Sequence, residues 1–198
     1  MAVWDDAPQV HAETAAQWRA WLEEHHADRD VPGAWLVAWK PATGRPHVTY
    51  EDAILEALCF GWIDSQSKSL DDERSALWFT RRRPGSPWSG TNKRRLEIIA
   101  ERGGMTPAGQ AVVDAAKADG SWSYLDEVEN LVVPDDLAAA LDRHGARATW
   151  DGFTESARRL VLRWILDARR PQTRADRVED AARLAAQGIP ARSQRERR

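Results

Sequence analysis

The residues best equipped for chemistry lie between positions 57 and 95. Arg81, Arg82 and Arg83 stand directly before Pro84-Gly85-Ser86-Pro87, and Ser89 then opens a helix whose first turns carry Asn92 and Lys93. Guanidinium groups offer planar donor forks, and a helix N-terminus offers unpaired backbone N–H groups and the positive end of a dipole. Together they predict a site for phosphate, sulfate or carboxylate. Trp62, Trp78 and Trp88 fall around the same loop, in a chain with eleven tryptophans, and are expected to wall the site so that a ring or base stacks there. If the strand starting at Trp62 alternates regularly, Trp62, Asp64, Gln66 and Lys68 share one face, while Ile63, Ser65 and Ser67 share the other. An aromatic plate, a carboxylate, an amide and an ammonium would then stand in line to grip a small polar ligand. The competing structural reading pairs the three arginines with the acidic turn Asp71-Asp72-Glu73 and leaves the strand as an ordinary exposed face.

Other chemistry finds less support. Cys59 is the single cysteine, so no intrachain disulfide forms, and its place between Leu58 and Phe60 suits a buried small hydrophobe better than a nucleophile. The five histidines, among them the His25-His26 pair and the scattered His11, His47 and His144, show no metal-ligand spacing, so neither metal nor cofactor is expected. No phosphate-binding glycine loop, dinucleotide fingerprint or nucleophile elbow occurs. Two alternatives to a ligand-binding module stay open. One is nucleic-acid binding by tryptophan stacking and arginine-phosphate contact. The other is an enzyme with Asp64 as general acid or base.

The elements that would position these groups follow from patterning. Thr14 with Gln17 forms a capping box for a helix over 15–26 bearing Trp18, Trp21 and Leu22. Ala34 to Lys40 is a strand, with Trp35, Val37 and Trp39 on one face and Leu36 and Ala38 on the other, and apolar residues on both faces predict a central position. Thr49 caps a helix through Ala53, Ile54, Ala57 and Leu58. Gly61 turns the chain into a hairpin of Trp62–Leu70 and Ser75–Arg82.

Ser89, Thr106, Pro134, Thr154 and Thr173 then start successive helices, with Pro171 closing the one that carries Ala157, Leu160, Val161, Trp164, Ile165 and Ala168. The expected fold is α+β, with a small antiparallel sheet of three to four strands packed with helices and an all-helical C-terminal part. The expected boundaries are an α+β domain over 1–120, a helical domain over 121–190 and a solvated tail over 191–198.

Composition sets the class. With 198 residues, 42% hydrophobic and 30% charged, the chain is long enough to bury a core and too apolar to be disordered. The net charge of −3 gives no overall attraction to nucleic acid or anionic membrane. Its distribution is uneven: 25 acidic and 16 basic residues up to position 154, then 6 and 12 beyond it, including Arg158, Arg159, Arg163, Arg169, Arg170, Arg174 and Arg177. No apolar run approaches membrane-spanning length and the N-terminus lacks a signal-like segment, so no membrane insertion is expected and the expected location is cytoplasmic.

Several motifs in the same order carry a resemblance. They are Tyr50-Glu51-Asp52-Ala53, Ala57-Leu58-Cys59-Phe60-Gly61-Trp62-Ile63-Asp64-Ser65, Lys68, Phe79-Thr80-x-Arg82 and Ser86-x-Trp88-Ser89-x-x-Asn92. Gly104-Met105-Thr106-Pro107-Ala108-Gly109 and the run from Ser156-Ala157-Arg158-Arg159 through Trp164-Ile165 to Ala168-Arg169-Arg170-Pro171-x-Thr173-Arg174 extend it. The chain resembles the YdeI/OmpD-associated, or bacteriocin-protection, family over roughly residues 15–188. The resemblance implies a role in bacterial resistance to antimicrobial peptides or other envelope stress, and it carries no established catalytic residues. Arg81 stands where the family pattern has proline, which alters the loop.

Overall fold

The computed structural model describes residues 7–192, so the expected tail from Ser193 and the N-terminal residues 1–6 lie outside it. The chain forms two compact units, one ending at Ser123 and the other beginning at Tyr124.

The first unit holds β1 (Gln9–His11), α1 (Ala15–His25), β2 (Ala34–Trp39), α2 (Tyr50–Cys59), β3 (Trp62–Ser69), β4 (Arg74–Arg81), α3 (Gly90–Glu101) and α4 (Pro107–Asp119). The sheet order is β1-β2-β4-β3. β2 and β3 both run antiparallel to β4, whereas β1 joins β2 in parallel. The sheet is therefore mixed, where a purely antiparallel one was expected. The fourth strand is only Gln9-Val10-His11, too short to show a periodicity.

Hydroxyl caps set the helix starts. Thr14 and Gln17 make a reciprocal box, and Thr49, Ser89 and Thr106 each accept the N–H of the residue three positions on. Gly61 has φ +73°, and a Cβ there would meet Val112 at 2.6 Å, so only glycine turns α2 into β3.

The central strand β2 is covered on both faces. Leu36 joins the larger core with Trp18, Leu22, Ile54, Leu58, Trp62 and Phe79. Trp35 and Val37 instead meet Ala76 and Trp78 on the opposite face. Trp18 anchors α1 to α2 by donating its indole N–H to Ala53 O at 3.1 Å.

The second unit consists of α5 (Asp126–Glu129), α6 (Asp135–Arg143), α7 (Arg147–Asp151), α8 (Glu155–Leu166) and α9 (Pro171–Ala186). Leu137, Leu141, Trp150, Val161, Leu162 and Ile165 form its core with the alanine face of α9. Two details differ from expectation. Leu160 is 47% exposed and Leu162 is buried in its place, because the inward stripe of α8 runs Val161-Leu162-Ile165. Pro171 takes the first helical position of α9, so Thr173 sits inside the helix and does not cap it. Among the described residues no helix is long and apolar enough to cross a membrane.

Candidate anion site

Consecutive residues at the end of β4 send their side chains to different places. Arg81 donates Nε to His26 O at 2.8 Å, Nη1 to Val31 O at 2.8 Å and Nη2 to Asp28 O, and it lies over the Trp62 ring at 5.1 Å. It fastens the α1–β2 connection to the sheet, and burial lowers its pKa. Arg83 is exposed, and its carbonyl accepts the N–H of Ser86 at 3.2 Å and the hydroxyl of the same residue. Arg82 alone turns inward and is 9% exposed.

The indoles do not form the expected wall. Trp62 is fully buried among the helices and donates Nε1 to His26 O at 3.3 Å. Trp78 packs on the other face of the sheet, 5.1 Å from Trp35. Trp88 is 1% exposed and lies directly under the Arg82 guanidinium, 3.9 Å from ring centroid to Cζ. Of the described tryptophans, Trp21, Trp39, Trp122 and Trp164 are half-buried and the rest are buried.

The line of polar groups on β3 is broken by a bulge. Asp64 pairs with Phe79 and Gln66 with Trp78, which leaves Ser65 without a partner on β4. Trp62 and Asp64 therefore face the helices with Phe79. Lys68 pairs with Ala76 on the opposite side, where its ammonium sits 3.9 Å from the Trp35 ring centroid. Asp64 accepts the Tyr50 hydroxyl at 2.9 Å. Desolvation and this carboxylate raise the Tyr50 pKa.

Ser89 caps α3 as expected, but Asn92 is engaged with Arg95 at 2.9 Å and Lys93 lies over Trp122 at 4.9 Å. The acidic turn does not neutralise the loop: Asp71 pairs with Arg74 at 2.7 Å and Glu73 with Arg45 at 3.4 Å. Cys59 is buried, and desolvation pushes its thiol pKa up, against nucleophilic use.

What the structure does assemble is a cavity of about 190 Å³ bounded by Arg82, Arg83, Pro84, Trp88 and the Ala111, Ala115 and Ala116 side of α4. Arg82 backbone N–H is held by Gly61 O at 2.9 Å, and Nη2 donates to Ser86 O at 3.2 Å and to Pro87 O. Arg82 Nε–H and Trp88 Nε1–H, both buried, have no hydrogen-bond partner among the described residues. No described carboxylate pairs with Arg82, and burial alone lowers its pKa to about 10. Asp119 stands at the rim, with its carboxylate turned to the Gly85 and Ser121 N–H groups at 3.1 and 2.8 Å. The arrangement is a buried cation bordering a small space, which suits a compact oxyanion.

Of the eleven expected site residues, only Arg82, Arg83 and Trp88 border this cavity. The α4 wall carries no sequence signal for a site, because Ala111, Ala115 and Ala116 have small side chains without polar groups. Among the described residues no cluster of three or more His, Cys, Asp or Glu could hold a metal ion.

The architecture is that of an α+β domain followed by a helical domain, and family comparisons divide along the same line. Residues 130–188 match the family described as "Bacteriocin-protection, YdeI or OmpD-Associated", which confirms the suspected kinship and places it in the helical unit. Residues 10–112 match "Domain of unknown function (DUF8412)", more than half of the chain, and the chain belongs to that family. The motifs at 50–109 therefore fall under this second description. Neither the curated proteins nor the solved structures yield a match.

Proposed function

We propose that the first unit is a binding module for a small oxyanion, seated at Arg82, within a protein of the stress-resistance type that the bacteriocin-protection domain implies. The observation that carries the reading is a guanidinium 9% exposed, with no carboxylate partner among the described residues, beside an open cavity. Burying an unpaired charge is costly, and proteins meet that cost with a partner or a ligand. About 190 Å³ is the liquid volume of roughly six waters, enough for phosphate, sulfate or a short carboxylate. An aromatic or peptidic ligand would place only its anionic head there.

Thermal unfolding of the whole chain in sodium phosphate, sulfate or acetate, against chloride at matched ionic strength, tests this. At 20 mM anion and a dissociation constant near 1 mM, the stabilisation is about 1.8 kcal/mol, a shift of several degrees. Identical melting in all four salts would remove the proposal.

A further inference from the structure

The helix-side face of the sheet is only partly covered. Exposure on β4 rises from Phe79, fully buried, through Leu77 to Ser75, half-buried, as the hairpin runs out beyond α2. The space left there is a cleft of about 610 Å³ with Leu36, Ala38 and Leu77 as its floor and Val48 and Ala53 as its wall. That size and apolar lining are those of a small-molecule site.

Among its polar groups, which include neutral hydroxyls and the Gln66 amide, a carboxylate is the acidic one. Asp64 is the one carboxylate of the lining, and neither Lys nor Arg lines the cleft. Tyr50, also in the lining, donates its O–H to Asp64, so towards a ligand its hydroxyl oxygen offers lone pairs. His47 Nδ1 lies 3.0 Å from Arg45 O. A carbonyl can only accept, so this contact requires the Nδ1–H tautomer, in which Nε2 is the acceptor.

The nearby cations are already engaged. Arg95 holds both Glu51 oxygens at 2.9 and 2.7 Å. Arg45 pairs with Glu73 and lies 4.3 Å from the Trp39 ring centroid.

The bulge at Ser65 is what brings Asp64 to this cleft. It restarts the alternation, so Asp64 and Ser67 share the face of Leu77 while Gln66 and Lys68 are sent away. The ammonium that would have neutralised the carboxylate is thereby moved to the opposite side of the sheet.

From this geometry we infer that the cleft is a second binding site, for a small organic ammonium carrying a short aliphatic or aromatic body. The ammonium donates to Asp64, Tyr50 Oη and His47 Nε2, and the body lies on Leu36, Ala38 and Leu77. The site is separate from the Arg82 cavity, with which it shares no lining residue.

Ligand-observed NMR with the full chain tests it, using phenethylamine, its uncharged isostere 2-phenylethanol and the anion 3-phenylpropanoate as probes. Phenethylamine is expected to bind about tenfold or more tightly than the alcohol, a factor worth one charge-assisted contact, while the anion shows no saturation transfer. Asp64→Asn should abolish the preference for the amine. Ser67→Trp, at an exposed position on the cleft face, should block both the amine and the alcohol while the melting temperature is kept. Saturating phosphate should change neither result, which separates this site from the anion cavity. Equal binding of amine and alcohol, no amine binding at 5 mM, or an amine preference that survives Asp64→Asn would each overturn the inference.

Discussion

Replacing Arg82 by glutamine removes the buried charge and keeps a donor amide. Burial holds the Arg82 pKa at about 10, well below that of a free guanidinium. That corresponds to roughly 3 kcal/mol of desolvation, offset in part by the bonds to Ser86 O and Pro87 O. The folded value lies below the unfolded one. The cost is therefore fully present at neutral pH and is relieved only as pH climbs through about 10 towards the ordinary guanidinium range. An oxyanion that restored the guanidinium to its ordinary value would, by linkage, bind the charged form about 300-fold more tightly than the neutral one.

Arg82→Gln should accordingly weaken phosphate by as much as ~300-fold, moving a dissociation constant near 1 mM beyond 100 mM. Without phosphate, the variant should melt close to the parent. The charge cost disappears, and charge-assisted bonds to Ser86 O and Pro87 O, worth about 1.5–3 kcal/mol each, are lost or weakened. Isothermal titration calorimetry at pH 7 and constant ionic strength measures the affinity. Affinities within threefold of each other would show that the Arg82 charge takes no part in anion binding.

Two further predictions test the scaffold. A Cβ at Gly109 would lie 2.2 Å from Cys59 O and 2.8 Å from Met105 Sδ, where α4 meets the end of α2, so Gly109→Ala should cost about 2–3 kcal/mol in urea unfolding. In α8, Leu160→Gln should stay within about 0.5 kcal/mol of the parent because the side chain is 47% exposed. Leu162→Ala, at 3% exposure, should cost about 2–5 kcal/mol. The reverse ranking would return Leu160 to the core.

Much of the fold was legible because it rests on local signals. The threonine and serine caps at positions 14, 49, 89, 106 and 154 all accept the expected N–H, and apolar residues on both faces of Ala34–Trp39 marked a central strand. The candidate site was less legible because direction is not a local property. Arg81, Arg82 and Arg83 are identical in type and adjacent in sequence, yet one binds three loop carbonyls, one is buried over an indole and one is exposed. Which is which depends on the register of β4 and on where the α1–β2 connection passes. The bulge at Ser65 had no signature either. A regular alternation put Asp64 and Lys68 on one face, and a single unpaired residue separated them.

Direct observation of the buried donors gives the sharpest test. In a ¹⁵N-edited NMR titration with sodium phosphate, the Arg82 Nε–H and Trp88 Nε1–H resonances should move together along one saturable curve and become slower to exchange. Trp62 Nε1–H, already bonded to His26 O, should stay fixed. Arg82 and Trp88 resonances that remain unmoved at 50 mM phosphate, in a chain that is otherwise folded, would contradict an oxyanion site at this arginine.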